Sequence, residues 1–110
     1  MRIAVIGSRS LKAEDISQYL PKDVTEIVSG GAEGIDACAR KYAQDNGIRL
    51  TEFLPQYERY GRAAPLYRNR EIIGYADEVV AIWDGKSHGT KYVIDQCRQC
   101  GKPVTVYQIV

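Results

Sequence analysis

The chain has 110 residues, 45% of them apolar and 26% charged, with a formal net charge of +1 at neutral pH. This is the make-up of one ordinary globular domain, and a charge so near zero excludes a global field that would draw the protein onto nucleic acid or an acidic membrane. Any electrostatic recognition has to come from a local cluster. The apolar runs are strand-sized and broken by charges, and Met1-Arg2 leads straight into one of them with no signal-like apolar segment, so a cytoplasmic protein without membrane contact is expected.

Strand-like and helix-like segments alternate from end to end. Arg2 to Ile6 reads as the first strand, and Lys12 to Leu20 as a short helix stopped by Pro21. Thr25 to Ser29 follows as the second strand. Gly34 to Asp45 has helical periodicity and is closed by Asn46-Gly47, a left-handed C-cap pair. Ile48 to Phe53 is a short third strand with one polar face, and Leu54 to Arg62 a loop. Pro65 suits the first turn of a helix running to Tyr75. Glu78 to Trp83 is the most apolar strand, Gly89 to Cys100 the last helix with Gly101 as its C′ residue, and Pro103 to Tyr107 the last strand. Five strands alternating with four helices predict a single α/β domain: a Rossmann-like, doubly wound parallel sheet in order 3-2-1-4-5, with right-handed crossovers and helices on both faces.

Three small-residue turns follow three apolar strands: Gly7-Ser8-Arg9-Ser10, Ser29-Gly30-Gly31-Ala32-Glu33-Gly34-Ile35-Asp36, and Asp84-Gly85-Lys86-Ser87-His88-Gly89-Thr90. In an open parallel sheet all three lie along the carboxyl edge, where such folds bind ligands. The second turn is the most informative. Glycines between a strand and a helix leave backbone N–H groups bare and let an anion, typically a phosphate, reach the positive end of the helix; a tight βα turn with close helix packing asks for the same glycines. Asp36 complements the helix dipole and is also compatible with a ribose hydroxyl contact. Asp84 is placed either to cap the following turn or to bond a ligand hydroxyl.

Arg59, Arg62, Arg68 and Arg70 fall within twelve residues, interleaved with Tyr57, Tyr60, Tyr67 and Asn69. Guanidinium groups beside aromatic rings suit phosphate plus a stacked base, and a solvated helix face with tyrosines over its core side gives the same pattern. Arg68 and Asn69, in the first turn or so after Pro65, are the members expected to face the strand ends. Gly85-Lys86-Ser87 is not a Walker A loop, which would need a glycine where Val80 sits inside a strand. His88 lacks partners at ligand spacing, and three cysteines with one lone C-x-x-C, Cys97 and Cys100, complete no zinc site. No metal and no cofactor are expected.

The ordered set Gly7-Ser8-Arg9, Ser29-Gly30-Gly31-Ala32-Glu33-Gly34-Ile35-Asp36, Tyr67-Arg68-Asn69-Arg70 and Asp84 to Thr90 resembles the SLOG superfamily, which unites the Smf/DprA DNA-processing proteins with the Lonely Guy enzymes. Small single-domain bacterial and phage members of the YspA type are the nearest in kind, and the resemblance spans nearly the whole chain. It implies binding or sensing of a nucleotide or nucleotide-derived molecule at the strand ends, through Gly7, Ser8, Arg9, Ser29, Gly30, Gly31, Gly34, Asp36, Arg68, Asn69, Asp84, Ser87, Gly89 and Thr90. Two alternatives accompany it. Lonely Guy enzymes hydrolyse an N-glycosidic bond with the glutamate of a Pro-Gly-Gly-x-Gly-Thr-x-x-Glu signature. Here Gly85-Lys86-Ser87 replaces the Pro-Gly-Gly and Tyr92-Val93 stands where acidic residues are expected, so no catalytic residue is assigned; Glu33 or Asp84 would have to substitute. The DNA-processing relatives share the Ser-Gly-x-Ala-x-Gly-Ile-Asp turn and bind single-stranded DNA, whose phosphates would use the same amides. The resemblance also leaves open a homodimer, common in that superfamily.

Overall fold

A computed structural model describes residues 1–12 and 15–109. Its centre is a parallel five-stranded sheet of β1 (Arg2–Gly7), β2 (Glu26–Ser29), β3 (Arg49–Glu52), β4 (Glu78–Trp83) and β5 (Val104–Gln108), in the order β3-β2-β1-β4-β5. The three inner strands are near-continuous apolar runs because both of their faces are covered. Alternation along β1 sends Ile3 and Val5 to one face and Ala4 and Ile6 to the other. Ile3 and Val5 pack with Ile27, Val80 and Ile82 under α1 (Ile35–Asp45), through Ile35, Ala39 and Ala43. Ala4 and Ile6 pack with Val28, Val79 and Ala81 under α3 (Ala64–Tyr75) and α4 (His88–Cys100), through Ile72, Ile73, Val93, Ile94 and Cys97.

Two segments depart from the sequence reading. Of the helix expected over Lys12 to Leu20, residues 13 and 14 lie outside the described residues, and the rest holds only a 3-10 turn, Ile16–Tyr19. Asp15 accepts a hydrogen bond from the Ser17 amide at 2.9 Å, and the Leu20 amide bonds back to Ser17 at 3.2 Å, so the segment closes three-residue bonds. Ile16 is its one buried residue, too few anchors to hold a full amphipathic helix on the sheet. Conversely, the expected loop Leu54 to Arg62 contains the short helix α2 (Tyr57–Tyr60), continued by a 3-10 turn at Gly61–Ala63. The Tyr60 ring stacks on Tyr67 of α3 with centroids 4.0 Å apart, a tertiary contact that local sequence does not announce.

Both β2 and β4 meet β1 in parallel, so the chain leaves all three strands at the same edge. Among the described residues, no helix is long and apolar enough to cross a membrane.

Candidate functional site

β1 and β4 end side by side, Gly7 opposite Ile82. A Cβ on Gly7 would stand 2.6 Å from the Ile35 Cβ, so this glycine is what lets the start of α1 close onto the sheet. Ser8, fully buried, stitches the edge together. Its amide donates to the Ile82 carbonyl (3.2 Å), its carbonyl accepts from the Ile35 amide (3.4 Å), and its hydroxyl accepts from the Asp84 amide (3.1 Å). Gly34, at φ +69°, lies against the Ser8 and Arg9 carbonyls with no room for a side chain. Ser8 and Gly34 therefore build the edge and do not face outward from it.

In the turn after β2, two amides expected to be bare are taken by the chain itself. Ser29 Oγ accepts from the Gly31 amide and Asp36 Oδ2 from the Ala32 amide, both at 3.2 Å. Gly31, at φ +70°, would direct a side chain toward Leu54 and Glu52 beside the end of β3, and Ser29 is fully buried. Gly30 serves a different purpose, since a Cβ there would lie 2.5 Å from Arg68 Nη1 and 3.1 Å from Asp36 Oδ2. Its bareness admits the Arg68 guanidinium, which donates through Nη1 to the Gly30 carbonyl (2.8 Å) and through Nε to Asn69 Oδ1 (3.1 Å). Burial raises the Asp36 carboxyl above the usual carboxylate range, against the opposing pull of the Ala32 amide and the Arg68 charge. Burial likewise lowers Arg68, with Asp36 opposing, and Arg68 remains a cation.

The third turn is organised by Asp84. Oδ1 accepts from the Lys86 and Ser87 amides, each at 2.8 Å, and Oδ2 from the Ser87 hydroxyl (3.0 Å) and the Ser10 hydroxyl (3.4 Å). These bonds, the Ser87 amide first, hold its carboxyl well below the usual range. Ser87 stands at the N-cap of α4, yet its side chain makes no capping bond. The amides of His88, Gly89 and Thr90 thus have no acceptor among the described residues; the first bond of the helix is Lys91 N–H to the Ser87 carbonyl at 3.2 Å.

A cleft of about 570 Å³ opens over this edge. Arg9, Gly30, Asp36, Arg68 and Asn69 line one side and Ser87, Gly89 and Thr90 the other, with Gly7 between. Of the residues expected at the site, Ser8, Ser29, Gly31, Gly34 and Asp84 stand behind the cleft as its framework. Glu33 and Asp84, offered as substitute acids, do not line it; Asp36 is the one carboxylate that does among the described residues. Sequence reasoning overlooked the floor of Ile6, Ile72 and Val93. The signal was there: Ile72 and Val93 stand four residues after Arg68 and Gly89, hence on the same helix faces.

Outside the cleft, Tyr60 and Tyr67 stack on each other, with Arg59 5.0 Å over the first ring and Arg70 5.5 Å over the second. Arg68 alone of the four clustered arginines reaches the cleft. Cys97 is buried and its thiol is pushed up to about 11 by that burial, while Cys100 Sγ donates to the Cys97 carbonyl at 3.6 Å. Among the described residues no group of three His, Cys, Asp or Glu side chains could hold a metal ion. Compared with family models, with curated proteins and with solved structures, the chain matches none.

Proposed function

We propose that the cleft binds a small phosphorylated ligand of the nucleotide class, with its phosphate on the α4 amides and in the field of the Arg68 guanidinium across the cleft. The observation that carries this reading is the uncapped N-terminus of α4 opening into a cleft that also holds Arg68 and Arg9. Bare first-turn amides and the helix dipole favour an anion there, and a partly buried guanidinium strengthens the field where water is thinned. The apolar floor of Ile6, Ile72 and Val93 offers a surface for the ring of a base or sugar, and Asp36 an acceptor for hydroxyl groups. The volume lies within the range of small-molecule sites. The resemblance to the SLOG superfamily supports the same reading, since it puts the ligand at this edge.

Binding of a single strand is the weaker reading. Tyr60 and Tyr67 already engage each other and two guanidinium groups, so the rings best spaced for stacking bases are occupied. A thermal-shift screen of nucleoside mono- and diphosphates, ADP-ribose derivatives and short oligonucleotides tests the proposal, followed by a salt series on the best ligand. A mononucleotide should stabilise the protein with a shallow dependence of affinity on salt. Tight oligonucleotide binding with a steep salt dependence, lost stepwise on removing Arg59, Arg62 and Arg70, would overturn it.

A further inference from the structure

We propose that Asp84 is a positioning residue for the anion site: by holding the Ser87 hydroxyl it keeps the first turn of α4 uncapped and open to a ligand phosphate. This role rests on the anion-binding reading of the cleft. A serine at an N-cap, in extended backbone conformation, ordinarily turns its hydroxyl onto the amide of the second or third helical residue. Ser87 has that backbone, φ −61° and ψ 122°, and the two amides in question are those of Gly89 and Thr90. Its hydroxyl instead donates to Asp84 Oδ2 at 3.0 Å.

The loop could not easily do otherwise while Asp84 is present. Asp84 also takes the Lys86 and Ser87 amides on Oδ1, and its own amide is fixed on Ser8 Oγ. The carboxylate is thus pinned between β1 and α4, and Ser87 is held with it. A second observation points to a ligand at the same place. Thr90 is only 6% exposed and lines the cleft, and its hydroxyl has no hydrogen-bond partner among the described residues. On a residue otherwise buried, a hydroxyl that opens unpaired onto the cleft beside three unpaired amides is a set of donors lacking its acceptor.

The consequence runs against simple electrostatics. Deleting a carboxylate next to an anion site should tighten anion binding. Deleting Asp84 should weaken it, because the freed Ser87 hydroxyl rotates onto the Gly89 or Thr90 amide and becomes an intramolecular competitor. An N-cap bond of ordinary strength corresponds to about a fivefold loss of affinity, roughly 1 kcal/mol.

The test uses the full chain labelled with 15N and inorganic phosphate as the probe. In the wild type, the His88, Gly89 and Thr90 amide signals should move on titration. Asp84→Ala should weaken phosphate binding about fivefold and slow hydrogen exchange at Gly89 or Thr90 without ligand, and adding Ser87→Ala to it should restore both. If Asp84→Ala does not fold, Asp84→Ser carries the same comparison, since its hydroxyl can still accept a loop amide but offers no second oxygen to the Ser87 hydroxyl. Unchanged or tighter binding in the single variant, or a loss that persists in the double variant, would overturn the role while leaving the anion site standing. No phosphate-dependent shift at these amides in the wild type would overturn the anion site itself and the role with it.

Discussion

Arg68→Ala separates what this arginine does for the fold from what it does for a ligand. Arg68 donates to the Gly30 carbonyl at 2.8 Å and is the nearby cation opposing the burial of Asp36. A hydrogen bond from a charged group contributes about 1.5–3 kcal/mol, and half-burial with access to water brings the expected loss of stability to about 1–2 kcal/mol. That corresponds to a fall in Tm of roughly 4–8 °C for each kcal/mol. The loss should depend on pH with a definite sign. Asp36 is already raised by burial, and without Arg68 it rises further, so the folded variant carries an uncompensated carboxylate at neutral pH and sheds the penalty once it takes up a proton. The destabilisation relative to wild type should be largest near pH 7 and shrink as pH falls toward the ordinary carboxylate range. Urea unfolding of both proteins, followed by circular dichroism across that interval, measures it. A difference that stays flat, or grows toward acid, would refute the coupling between Arg68 and Asp36.

Gly30→Ala should displace the Arg68 guanidinium, since the new Cβ falls 2.5 Å from Nη1, and on the proposed reading weaken nucleotide binding in calorimetry about as much as Arg68→Ala does. Gly31→Ala, at φ +70° and facing Leu54, should cost about 1 kcal/mol of stability from backbone strain and leave that affinity unchanged. At the opposite edge of the sheet, burial of Glu26 would raise its carboxyl, but the Tyr75 hydroxyl (2.6 Å), the Thr51 hydroxyl (2.7 Å) and the Arg49 and Arg2 charges prevail and hold it below the usual range. Its contribution is therefore present at neutral pH and lost as pH falls through the depressed value. Tyr75→Phe should cost about 1–3 kcal/mol near pH 7 and progressively less on acidification, read by thermal unfolding.

The sheet order and the three turns were legible because their causes are local and periodic. Apolar runs such as Val79 to Ile82, with a glycine or proline near each helix end, leave one simple winding. The two segments that differed depend on distant partners. Lys12 to Leu20 has helical composition, but of its described part only Ile16 is fully buried on the sheet, with Tyr19 and Leu20 half-covered beside it, and α2 owes its place to the stacking of Tyr60 on Tyr67. At the site, residue types were legible and their hydrogen-bond states were not. Both turns carry a serine and an aspartate, Ser29 with Asp36 and Ser87 with Asp84, yet Asp36 takes an amide of its own turn while Asp84 takes the capping hydroxyl. Which of these occurs is settled by side-chain rotamers and by the junction at Ser8, which joins residues more than seventy positions apart.

That difference gives the cleft a direction. At α1 the positive end of the helix is answered from within, by Asp36 in its first turn, buried and close to Arg68. At α4 no acidic residue stands in the first turn and no side chain caps it, so its positive end is left for something outside the chain. On the proposed reading, a ligand carrying both phosphate and hydroxyl groups then has one favourable orientation. Its phosphate goes toward Gly89 and Thr90, because near Asp36 it would meet a like charge. Its hydroxyl groups go toward Asp36, because they are the donors that a carboxylate with one amide bond can still accept. The span between the two ends is covered by Ile6, Ile72 and Val93, side chains that reward an apolar ring and offer no polar partner. Specificity for a phosphorylated sugar or nucleoside over a bare anion would follow from this separation of acceptor and donors, and not from the glycines of the second turn, whose amides the chain has already used.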